Sequence, residues 1–102
     1  MASRIEIHYC SKCRWMLRSA WMAQELLSTF EDSIEELTLR PDSTGGVFEI
    51  FVDSELIWSR KDQGGFPDIV ALKNLVRDRV APEKDLGHAE QGSVDENAGA
   101  SD

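Results

Sequence analysis

Residues 4–9, RIEIHY, alternate strictly: Ile5, Ile7 and Tyr9 fall on one side and Arg4, Glu6 and His8 on the other. That period of two predicts a strand with one buried face. From about Arg14 to Phe30 the period lengthens, with Met16, Ala20, Ala23, Leu27 and Phe30 recurring three and four apart and Leu17, Trp21 and Leu26 widening the stripe. An amphipathic helix follows from that spacing. Alternation returns in 35–40 (EELTLR), in 47–52 (VFEIFV) and, less regularly, in 56–60 (LIWSR). The short link Asp53-Ser54-Glu55 suggests that the last two strands form a hairpin. The segment GGFPD, 64–68, then breaks the chain. Pro67 and Asp68 suit the first turn of a second helix running to about Val80, with Ile69, Leu72, Leu75, Val76 and Val80 turned inward.

The predicted order is β-α-β-β-β-α, an α/β domain of two layers over residues 1–82. The polar alternates Arg4, Glu6, His8, Glu36, Thr38 and Arg40 predict that one face of the sheet is left to solvent and that both helices cover the other. After Ala81-Pro82 the residues are polar, dotted with glycine and nearly free of large apolar groups. Such a segment cannot offset its own ordering entropy, so 83–102 is expected to be a disordered acidic tail.

A domain of roughly 80 residues can fold without staples but is too small to enclose a large internal active-site cavity. Two cysteines in a chain otherwise rich in apolar residues do not make a secreted disulfide scaffold. No signal-like apolar segment opens the sequence and no run of 18 apolar residues occurs, so a soluble, cytoplasmic protein without a membrane partner is expected. The net charge of -8 argues against nucleic acid as a partner. It is unevenly placed: residues 81–102 hold six acids and one base, leaving thirteen acids and ten bases for residues 1–80.

The chemistry concentrates in IHYCSKCRW, residues 7–15, where strand alternation gives way to helical spacing. Cys10 ends the predicted strand and Cys13 opens the predicted helix, an exposed corner at the positive end of a helix dipole. If the dipole and the cations Lys12 and Arg14 supply about 1.5 kcal/mol, a thiol pKa of about 8.5 falls to about 7.4, and the thiolate fraction at pH 7 rises from about 3% to nearly 30%. As a clamp the pair is weak, since closing a loop of four residues gives only about 1.9 kcal/mol against about 3 for fifteen. The same short loop keeps one thiol beside the other, so that a mixed disulfide on the first can be resolved by the second. The spacing therefore favours exchange. Two thiolates at such a junction also suit Cu(I), so a soft-metal carrier is an alternative.

The motif YCSKC after a first strand, the apolar helix, TGGVFEIFVDSELIWSRK as a hairpin and a closing helix near residue 80 resemble the selenoprotein W-like group of thioredoxin-like proteins. The resemblance covers residues 4–81, and its most specific element is the strand-CxxC-helix junction joined to the later TGGVFEI strand. It implies a two-layer thioredoxin-like fold with a mixed four-stranded sheet, in which the second and third strands flank the first on opposite sides. The crossover 41–46 must then pass over the end that carries Cys10, and the fourth strand must bring 64–68 to the same rim. Gly45 and Gly46 stand where thioredoxin-like proteins usually place a cis-proline. Animal relatives often carry selenocysteine at the second motif position; here it is Cys13.

The resemblance implies a thiol-disulfide oxidoreductase or redox-responsive protein using Cys10 and Cys13 jointly, with glutathione or a protein thiol as partner and no cofactor or bound metal. Which cysteine attacks is left open. A binding module gated by the same cysteines is a further alternative, because it needs the same reversible pair. Around the pair, Lys12, Trp15, Gly45, Gly46 and Phe66 are candidates for the site rim, the glycines for close backbone approach to a bound thiol or peptide. Each also has a plainer reading: Lys12 and Arg14 as soluble surface, Trp15, Trp21 and Trp58 as packing, and Phe66 as a staple for the last helix. His8, two residues before Cys10, reads as an exposed polar alternate.

Overall fold

Alternation in the first strand is matched by partners on both its edges. In the computed structural model, which describes residues 3–86, β1 (Ser3–Cys10) is a central strand of a four-stranded mixed sheet ordered β2-β1-β3-β4. It runs parallel to β2 (Ile34–Asp42) and antiparallel to β3 (Phe48–Val52), which pairs in turn with β4 (Glu55–Ser59). Between and after the strands lie α1 (Met16–Phe30), the single turn α2 (Arg60–Gln63) and α3 (Ile69–Val80). This is the two-layer thioredoxin-like arrangement that the sequence predicts, with α2 added where the fourth strand was expected to continue through Arg60.

One apolar layer joins sheet and helices. Ile5, Ile7 and Tyr9 of β1, Phe48, Ile50 and Val52 of β3 and Ile57 of β4 pack with Met22, Leu26 and Phe30 of α1 and Leu72 and Val76 of α3. The opposite sheet face carries the exposed residues Arg4, Glu6, Glu36, Thr38 and Arg40. Lys73 Nζ of α3 donates to Glu25 Oε1 of α1 at 2.9 Å, tying the two helices above the sheet. The core also takes in Leu86, only 5% exposed, from the segment expected to belong to the tail. The rest of that tail, 87–102, lies outside the described residues.

The phase of α1 differs from the expected one. Its buried face is Ser19, Met22, Ala23, Leu26 and Phe30, whereas Met16 and Leu27 of the predicted stripe are exposed. Apolar residues run almost all the way around this helix, and a serine sits within the buried face, so spacing alone did not select the side that meets the sheet.

Turn chemistry explains the remaining boundaries. Val52 pairs with Glu55, which reduces the hairpin link to Asp53 and Ser54. Both have positive φ, 49° and 73°, the left-handed pair of a tight hairpin turn formed here without glycine. Asp53 is held in that shape by Arg4, whose N–H donates to Asp53 Oδ1 at 2.9 Å and whose carbonyl accepts from Asp53 N–H at 2.8 Å. At α3, Asp68 is the cap rather than the first helical residue, its Oδ2 accepting from Val70 N–H at 3.1 Å and Ala71 N–H at 3.3 Å.

Two outcomes follow from this packing. Leu26→Ala is expected to lower unfolding stability by about 3 kcal/mol in urea titration, and Leu17→Ala, on the outer face, by no more than about 0.5 kcal/mol; the reverse ranking would place α1 in the wrong phase. The Arg4 backbone N–H and the Ser3 hydroxyl lower the Asp53 pKa below its ordinary 3.8. A depressed folded-state pKa gives stability that is present above 3.8 and lost as pH falls through the lowered value. Asp53→Asn should therefore lower stability at neutral pH and flatten its decline between about pH 5 and pH 2.

Candidate functional site

Because β2 and β3 flank β1 on opposite sides, the chain between them must pass the end of β1, and it is bonded there at both of its own ends. Ser11 N–H donates to the Asp42 carbonyl at 2.9 Å, and the Ser11 hydroxyl donates to the same oxygen at 3.2 Å. Cys10 N–H donates to the Val47 carbonyl at 2.8 Å. The backbone of the first cysteine is thus held on both sides before the chain turns. Residues 11–14 form that turn and return Cys13 to a Cα separation of 5.3 Å from Cys10, where the two are joined as a disulfide. Cys13 N–H then points at Cys10 Sγ, 3.1 Å away.

Two expectations about the pair are corrected. Cys13 does not open the helix, because Arg14 has φ 62° and α1 starts only at Met16, after Trp15. A left-handed residue cannot belong to a right-handed helix, and the helix field fades within about one turn. The donor facing Cys10 Sγ comes from the turn itself. Nor do the sulfurs share one exposed corner: Cys10 is 0% exposed, enclosed where β1 meets both crossover ends, while Cys13 is only half-buried.

The rim is aromatic and cationic. Trp15 meets Phe66 edge-on at 4.9 Å between ring centres, and Phe66 meets Phe48 at 4.9 Å. The Arg18 guanidinium lies 4.4 Å from the centre of the Phe66 ring, and that of Arg60 lies 4.9 Å from Trp15 and 5.7 Å from Phe66. Phe66 and Trp15 are therefore packed against each other next to the motif, with a guanidinium on either flank. Lys12 is exposed in the turn between the cysteines. From Ile7 to Gln24 the chain has three cations, Lys12, Arg14 and Arg18, and no carboxylate, within a protein of net charge -8.

Gly45 and Gly46 lie in the crossover between Asp42 and Val47. Gly46 has φ 79° and Gly64, which closes α2, has φ 81°; these conformations account for both residues. The nearest atom to a Cβ built at Gly46 is Lys61 Cε at 4.0 Å, and none lies within 4 Å at Gly45, so close approach within the protein is not what calls for them. Beside the crossover is a cleft of about 280 Å³ whose wall includes Asp42, Thr44, Ser59 and Lys61. Bonds from the backbone N–H and hydroxyl of Thr44 lower the Asp42 pKa, which keeps that wall charged.

His8 stands apart from the sulfurs. Its side chain is only 14% exposed rather than solvated, hydrogen-bonded to Glu6 at 2.7 Å and set against Phe51 with ring centres 4.8 Å apart and the ring planes tilted by 43°. Sequence reasoning missed Arg18, Arg60 and the carbonyls of Asp42 and Val47. Arg60 comes to the motif only through the fold, from 45 residues beyond Trp15. Arg18 carried a local signal, a cation three positions after Trp15 on the same predicted helix.

The sequence model of the Rdx family matches residues 4–78. Among solved structures, a selenoprotein W-related protein from Vibrio cholerae is 55% identical with a TM-score of 0.76, the match covering 78% of this chain and 99% of that one. A protein from Bordetella parapertussis is 51% identical with a TM-score of 0.74, covering 76% and 98%. The comparison with curated proteins finds no similar chain.

Arg14 provides a test of the turn. Relief of its left-handed strain outweighs the added flexibility of glycine, so Arg14→Gly should leave unfolding stability unchanged or raise it by up to about 1 kcal/mol. Arg14→Ile should lower it by at least about 1 kcal/mol in the same urea titration.

Proposed function

The chain belongs to the Rdx family, and on that premise we propose that it carries out thiol–disulfide exchange through Cys10 and Cys13, with Cys13 as the sulfur that meets the partner. The observation that carries the reading is the unequal exposure of a bonded pair: Cys10 is sealed and Cys13 is within reach of solvent. In the reduced protein the Cys13 thiolate attacks a disulfide of the partner and forms a mixed disulfide, releasing one partner thiolate. Cys10 then attacks Cys13 Sγ, closing the internal disulfide and releasing the second thiolate. Two electrons pass from the protein dithiol to the partner.

In the opposite direction an incoming thiolate attacks Cys13 Sγ and Cys10 leaves as a thiolate. The Cys13 N–H at 3.1 Å from Cys10 Sγ suits that departure, since a donor aimed at sulfur favours its anionic form. Glutathione or a protein thiol is the natural partner for such a pair.

The order of attack is tested by trapping. Incubated with oxidised glutathione, Cys10→Ser should accumulate a mixed disulfide on Cys13, seen by mass, and Cys13→Ser should react at least about tenfold more slowly at Cys10. Trapping only in Cys13→Ser reverses the roles. In metal-free glutathione buffers the wild-type pair should titrate between about -120 and -270 mV. Failure to form the internal disulfide, together with stoichiometric Cu(I) binding, would replace exchange with metal carriage.

A further inference from the structure

The outer face of α1 is not used by the fold. Met16 and Trp21 are each 48% exposed and Leu17 is 76% exposed, all within the first two turns of the helix. The face begins three residues after Cys13, at the end of the helix flanked by Lys12, Arg14 and Arg18, with Arg60 reaching the same place over Trp15. Among the described residues none of these four cations forms a salt bridge, nor do Arg40, Lys61 and Lys84, whereas Arg4, Lys73, Arg77 and Arg79 each do.

Resting on the exchange reading, we infer that this face docks a protein segment that carries carboxylates around its reactive cysteine and a large apolar side chain beyond them. The argument is charge and shape together. Lys12 and Arg14 flank Cys13 in sequence and Arg18 and Arg60 lie over the rim rings, four cations without a salt bridge, the first three in a stretch free of carboxylates, on a protein of net charge -8, which favours anionic partners there. Glutathione has no large apolar side chain, so it leaves Met16, Leu17 and Trp21 without an apolar partner. The chain's own residues 87–102 are acidic enough, but Val94 is their largest apolar residue, too small to cover Leu17 and Trp21.

In the docked complex the segment's thiolate attacks Cys13 Sγ. A segment–Cys13 disulfide forms, the Cys10–Cys13 bond breaks, Cys10 departs as a thiolate and the segment's thiol proton goes to solvent.

The test uses the full oxidised chain and three blocked synthetic peptides with one cysteine each: one with two glutamates and two leucines, one with lysines in place of the glutamates, and one with serines in place of the leucines. At about 10 mM salt the first should open the disulfide at least about tenfold faster than the second, and most of that advantage should vanish at about 0.5 M salt. It should also react several-fold faster than the serine peptide, a margin that Leu17→Ser removes without changing the rate with glutathione. Equal rates for all three peptides would overturn the docking surface and leave exchange standing. No reaction with any peptide or with glutathione would overturn exchange itself. Competition by a synthetic peptide of residues 87–102, or a dimer in sedimentation that Leu17→Ser dissolves, would assign the face to the chain's own terminus or to a second copy, and either result would overturn the proposal.

Discussion

The end of β1 is clasped from both sides, and the geometry of the cysteine pair depends on that clasp. Ser11 N–H is bonded to Asp42 at the close of β2, and Cys10 N–H to Val47 at the approach to β3. A strand inside a mixed sheet has neighbours on both edges; here the link between those neighbours also closes over its tip. The cost of ordering the motif backbone is therefore carried by the sheet, and the turn that brings Cys13 back begins from a stationary point. The same enclosure buries one sulfur and leaves the other accessible, which sets two chemically identical side chains apart.

Around this clasp the protein places rings and cations rather than a deep pocket. Trp15, Phe48 and Phe66 come from a turn, a strand and a loop far apart in sequence, and their edge-to-face contacts hold the three segments together next to the disulfide. Arg18 and Arg60 lie over the faces of two of these rings. A guanidinium over a ring keeps its charge available at the rim while its apolar stem is packed.

Much of this could be read directly from residues. Strict alternation in 4–9 and 47–52 located the two central strands because a period of two has no competing explanation there, and GGFPD marked the break before the last helix. The CxxC pair and its place at the end of β1 were equally legible. The burial of Cys10 was not, since it depends on how the β2–β3 link closes over the strand end, a tertiary fact with no local pattern. The phase of α1 was hidden for the opposite reason: too many positions were apolar to choose among them, and the excess on Met16, Leu17 and Trp21 lies on the surface. Arg60 looked like the end of a strand, yet Gly64 closes a helical turn that carries it to the rim.

The uneven placement of charge has one more consequence. A body that is negative as a whole but gathers Lys12, Arg14, Arg18 and Arg60 around the motif has its charge unevenly spread, and an anionic partner would feel that unevenness as a torque before contact. On meeting such a partner the sulfur end would turn forward, fewer collisions would be spent in unproductive orientations, and added electrolyte would weaken the turn as it shortens the reach of the field.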